Sequence, residues 1–99
     1  MITQNSVDND ILAMELAKQL DVSMTKASHI LHNVGEAIDY LQLSDNVHWR
    51  MRNGMTKSIT LLRWRAALVS GNSLVVFAYH NVLSVAMCIA WLEWKENER

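Results

Sequence analysis

The chain has 99 residues, 51% of them hydrophobic, with a formal net charge of −1, no proline and one cysteine. That is one domain with enough apolar material to bury a core without metal or disulfide help. It excludes a disulfide-stapled scaffold, because Cys88 has no partner within the chain.

The charge is unevenly spread. Residues 1–45 carry seven acids (Asp8, Asp10, Glu15, Asp21, Glu36, Asp39 and Asp45) against Lys18 and Lys26, a balance of −5. Residues 46–92 carry no acid, but do carry Arg50, Arg52, Lys57, Arg63 and Arg65, giving +5, and the last seven residues return to −1. Such polarity points either to pairing between the two halves or to a surface meant for a charged partner.

The first ten residues are polar and acidic, so no secretory signal is expected and a cytoplasmic protein is. Residues 5–8 offer several helix caps. Ile11, Leu12, Leu16 and Leu20 then recur at helical spacing, with Ala13 and Ala17 alongside. That helix should end near Asp21-Val22-Ser23. Ser23 makes an N-cap for a second helix, in which Ala27, Ile30, Leu31, Val34, Ile38 and Leu41 share one face. The two form a helical hairpin over about residues 8–42.

Leu16-Ala17, three residues, then Asp21-Val22-Ser23 fits the general helix-turn-helix pattern. A small Ala lets the helices approach, an apolar residue fills the turn and a Ser caps the second helix. Asp21 stands where the turn often has Gly, and Asp tolerates positive φ better than most residues. Residues 11–41 also resemble the helical hairpin of the histone-like nucleoid proteins HU and IHF, through Leu16-Ala17, Val22-Ser23-x-Thr25-x-Ala27, Leu31 and Glu36-Ala37-Ile38. In that family the hairpin serves dimerisation, and a basic, proline-tipped β-arm grips DNA. This chain has no proline and no glycine-rich arm, so no DNA-contacting residue carries over. Were the second helix to enter a major groove, Thr25, Lys26, His29 and Asn33 would face the bases, with Glu36 poorly placed against phosphate.

His29 and His32 lie one helical turn apart, a spacing that can hold a metal. No third ligand stands at a suitable spacing, so they read as surface histidines and no metal is expected. Gly35 inside the second helix suggests a close helix crossing or an approach to a ligand.

Val47, Trp49 and Met51 alternate with His48, Arg50 and Arg52, which is a strand period, and Asn53-Gly54 is a turn signal. Helical spacing returns over residues 55–69 through Met55, Ile59, Leu62, Ala66 and Val69. The basic segment at 46–69 thus holds two aromatic and cationic clusters: Trp49, Arg50 and Arg52, then Arg63, Trp64 and Arg65, with Lys57 between. Arg pairs with phosphate, and Trp can stack on bases or anchor a protein interface, so these seven residues are the candidate binding surface.

Residues 66–92 contain no Asp, Glu, Lys or Arg, and so form either the centre of a soluble core or a membrane span. The polar residues 70–73 split the run, and His80, Asn81 and Ser84 form a polar stripe on a helix, which favours the core. A hydrophobic helix over about 73–95 is expected, although Leu74 to Tyr79 is also compatible with a strand. Cys88 reads as a small buried hydrophobe.

The expected fold is a single all-α domain of four helices over residues 1–99, with a short two-stranded element as the alternative. No catalytic constellation or phosphate loop is present, so neither an enzyme nor a cofactor is expected. The functional expectation is a small interaction protein that binds a protein partner as adaptor, regulator or inhibitor, or pairs as a homodimer. A DNA-binding regulator and a single-span membrane protein are the alternatives.

Overall fold

The computed structural model describes residues 2–3, 9–55 and 62–97, with side chains for 9–53 and 64–97. It is an α+β fold. After a two-residue strand β1 (Ile2–Thr3) come three helices, α1 (Asn9–Leu20), α2 (Met24–His32) and α3 (Val34–Tyr40), then strands β2 (Val47–Met55), β3 (Leu62–Ser70) and β4 (Ser73–His80), and last α4 (Leu83–Asn97). Strands β2, β3 and β4 form an antiparallel sheet, and β1 pairs parallel with the outer side of β4, giving the order β1-β4-β3-β2.

The all-α expectation is therefore wrong, and the reasons are local. The helix expected over 55–69 is a strand from residue 62 onward, and residues 56–61 lie outside those described. Helical spacing misled there because Ala66, Ala67, Leu68 and Val69 are all buried, which erases the alternation that marks a one-sided strand. Likewise, the first half of the expected 73–95 helix is β4. Gly71 and Asn72 form a two-residue hairpin loop closed by the Ser70 and Ser73 pair. Gly71 has φ 61°, the positive φ at the first loop position that a type II′ turn requires.

The N-terminal hairpin follows the expectation up to residue 32. Leu12, Ala13 and Leu16 are buried, Asp21 takes φ 55°, and the Ser23 side chain accepts from the Lys26 backbone N–H at 3.1 Å. The second helix then breaks at Asn33, which is extended at φ −143°, ψ 115° and caps α3 by accepting from the Glu36 N–H. The break resets the helical phase, so Ala37 and Leu41 are buried while Ile38, expected inside, is exposed. Gly35 is not at a helix crossing. It is exposed in the first turn of α3, where an added Cβ would come within 3.2 Å of the capping oxygen of Asn33.

Five of the other elements meet on α4. It packs against β3 and β4 on one side and against α1, α2 and α3 on the other. Every residue from Ser84 to Trp91, and Trp94, is buried, as a helix that is apolar all round requires. Of the expected polar stripe, His80 ends β4 and Asn81 lies in the turn. Only Ser84 is on α4, where its hydroxyl donates to the Leu31 carbonyl at 2.6 Å. That carbonyl belongs to the last turn of α2, where backbone acceptors have no partner within the helix. Trp91 donates its indole N–H to the Gln42 carbonyl at 2.9 Å. Among the described residues, no helix is long and apolar enough to cross a membrane.

Candidate functional site

The helices pack on one face of the sheet, and among the described residues no helix packs on the other, the open face. The pleat of β2 sorts its side chains: Val47, Trp49 and Met51 pack against the core, so the alternating His48, Arg50 and Arg52 point to the open side. On β3, Ala66 and Leu68 join the core and Arg65, Ala67 and Val69 lie opposite; on β4, Val76 and Ala78 join the core and Phe77 and Tyr79 lie opposite.

The register assembles these residues into two cross-strand rows. Arg50 pairs with Ala67, which pairs with Phe77; Arg52 pairs with Arg65, which pairs with Tyr79. Each row runs from guanidinium to aromatic ring. The Arg65 guanidinium sits 4.9 Å from the Phe77 ring centre, and the Phe77 and Tyr79 rings meet edge to face at 5.7 Å. Between the rows' ends, Ala67 and its same-side neighbour Val69 are buried. At the far end of β4 a register shift inserts one residue, leaving Leu74 and Val75 exposed.

No residue of β2, β3 or β4 is acidic. Among the described residues, no carboxylate forms an ion pair with Arg50, Arg52 or Arg65, and Arg65 Nε is buried without an acceptor. The described acids before residue 46 lie on α1 and α3 or in the connecting segments. Pairing between the acidic and basic halves, one of the two expectations from the charge pattern, is thus not seen for these three arginines among the described residues.

Of the seven residues singled out from the sequence, Arg50, Arg52 and Arg65 share the open face. Trp49 is turned into the core, and Trp64 falls on the opposite side of β3 from Arg65. Lys57 lies outside the described residues, as does the side chain of Arg63. Sequence reasoning missed His48, Phe77 and Tyr79. The available signal was the two-residue spacing of Val75, Phe77 and Tyr79, obscured by the equally apolar Val76 and Ala78 between them.

On the helical side, Thr25 and His29 are exposed on α2, and Asn33 is the cap that follows it. Lys26 is engaged. Its ammonium lies 2.9 Å from Glu36 Oε2 and 4.3 Å from the Tyr40 ring centre; the hydrogen bond to Glu36, then that to Tyr40, raises its pKa above the usual lysine value. His29, His32, Asn33 and Glu36 line a shallow depression. Among the described residues, no group of three or more His, Cys, Asp or Glu could hold a metal. Cys88 is buried, and burial pushes its thiol up to about 12, so it is not a nucleophile at neutral pH.

No protein-family model, no curated protein and no solved structure matches this chain.

Proposed function

We propose that this protein is a small non-enzymatic binding module that engages nucleic acid through the open face of its sheet. One observation carries the proposal: Arg50, Arg52 and Arg65 share a face with Phe77 and Tyr79, and among the described residues none of the three arginines has a carboxylate partner. Guanidinium groups without an internal counter-charge suit phosphate, and flat rings beside them suit bases. The alternative of an anchored protein partner on this face loses its best anchor, because Trp49 is partly buried and packs against the core on the other side of the strand.

The test is fluorescence anisotropy of labelled oligonucleotides titrated with folded protein over a salt series. Binding is expected at low salt and should weaken as salt rises. Three neutralised phosphates give a log–log slope of about −2 on single strands and about −3 on duplex. Folded protein that binds no nucleic acid at low ionic strength contradicts the proposal.

A protein-directed role has its own supporting observation, on the helices. Ile11 and Met14, one turn apart on α1, are 57% and 60% exposed, and Ile38 on α3 is 53% exposed. Large apolar side chains displayed on helices suit a second copy of the chain or a protein partner. Light scattering at micromolar concentration tests the homodimer: a dimer mass supports it and a monomer mass removes it.

A further inference from the structure

Resting on the nucleic-acid proposal above, we infer that the ligand of the open face is single-stranded, its backbone running along β2 and its bases lying on Phe77 and Tyr79 of β4. Three features of the face lead there.

The first is the division of labour across the sheet. The exposed cations of β2, Arg50 and Arg52, are two residues apart on one strand and so about 6.8 Å apart along it, with both side chains on the same side. The rings stand two strands away, at a lateral distance of about 9.6 Å. Each row, Arg50-Ala67-Phe77 and Arg52-Arg65-Tyr79, therefore offers an anion partner at one end and a stacking surface at the other. A nucleotide with its base splayed away from its phosphate has that same polarity.

The second is the floor between them. In the first row it is Ala67, whose side chain is a single methyl, so the middle strand itself contributes little bulk between cation and ring. Arg65 fills the middle of the second row and reaches across to Phe77 of the first, its guanidinium 4.9 Å from the ring centre. A base stacking on these rings would use the same cation–π and stacking forces that hold Arg65 there.

The third is shape. The major groove of a duplex, about 12 Å wide, admits an α-helix or a two-stranded ribbon, whereas this face is three strands broad with its rings set within it. Paired, stacked bases could not reach those rings. A duplex would touch the cations alone.

The experiment compares a labelled oligonucleotide as a single strand and as a duplex of equal length, by anisotropy at low salt. The proteins are wild type, Phe77→Leu with Tyr79→Leu, and Arg50→Ala with Arg52→Ala, each shown to be folded by circular dichroism. Wild type should bind the single strand at least ten-fold more tightly. Loss of each stacked base should weaken single-strand binding by between about five-fold and a hundred-fold, leaving any residual duplex binding unchanged. The arginine variant should weaken both and flatten the single-strand salt slope by about 1.4.

Equal or tighter duplex binding overturns the inference, as does a leucine variant that binds the single strand like wild type. In either case the broader nucleic-acid proposal stands. Absence of binding to both forms removes both. Should polyglutamate bind wild type while oligonucleotides do not, the face is an acidic-protein site and the inference also falls.

Discussion

The helical surface and the open sheet face differ in how their charges are settled. On the helices Lys26 lies against Glu36 and Tyr40, His32 Nδ1 lies 2.8 Å from the Ser28 carbonyl, and cap side chains satisfy the first backbone donors of α2 and α3. On the sheet, Arg50, Arg52 and Arg65 have no carboxylate partner among the described residues, and Arg65 lies against the Phe77 ring. A surface whose groups are satisfied internally contributes to folding. One whose cations are left without counter-charges is available to a partner, and its own residues contribute little to stability. Between the two lies α4, which is neither surface and supplies the buried contacts that join them.

That contrast can be broken most forcefully at the core. Leu16 and Leu68, one on α1 and one on β3, are fully buried in the same cluster, and truncating either to Ala should cost about 2–5 kcal/mol in denaturant unfolding. Losses under about 1 kcal/mol at both sites would mean the helices and the sheet do not share a core. Next in size is Ser84→Ala, which leaves the buried Leu31 carbonyl without its donor and should cost about 1–3 kcal/mol. A neutral result would show that the last turn of α2 is satisfied some other way.

The caps give a smaller effect but a sharper sign. Replacing Ser23 or Asn33 by Ala should each cost about 1 kcal/mol, because each accepts from a backbone N–H at a helix start. If α2 and α3 were one continuous helix, Asn33→Ala would instead stabilise, since Ala is the better helix former. Thermal denaturation of that single variant decides between the two.

This is also where the sequence was most and least readable. Signals carried by the side chain next to its own backbone were legible: Ser23 as cap, Asp21 at positive φ, and the alternation from Val47 to Arg52. What was not legible depended on distant coverage. Residues 66–69 lost their alternation because Ala67 is covered by neighbours on the open face, and a run buried on both sides reads as helix or strand alike. Asn33 looked like one more residue of a helix, although its side chain is a competent N-cap and Glu36 follows three places on. Half of the candidate site was visible as Arg50, Arg52 and Arg65. Phe77 and Tyr79 needed the register of β3 and β4 to bring them alongside.

Cys88 offers a pH-dependent check on the buried seam. Its thiol titrates at about 12 in the fold against an ordinary value of 9.0, because burial penalises the thiolate. Its contribution is present in full below pH 9 and is lost as pH rises from there through 12, since only the unfolded chain gives up the proton in that window. The stability difference between wild type and Cys88→Ala should therefore shift against wild type between pH 8 and pH 10.5. In native protein at pH 8 the thiol should resist alkylation until denaturant is added. Fast labelling of native protein would place Cys88 at a surface instead.

The smallest expected change in stability belongs to the open face, and it tests most directly whether that face serves a partner more than the fold. In the protein carrying Arg50→Ala and Arg52→Ala, denaturant unfolding and single-strand binding are measured side by side. Stability should stay within about 0.5 kcal/mol of wild type, as surface substitutions do, while the salt slope flattens by about 1.4 and low-salt affinity drops. A loss of more than about 1 kcal/mol in stability, with nucleic-acid binding unchanged, would show that these arginines serve the fold and that the open face is not the binding surface.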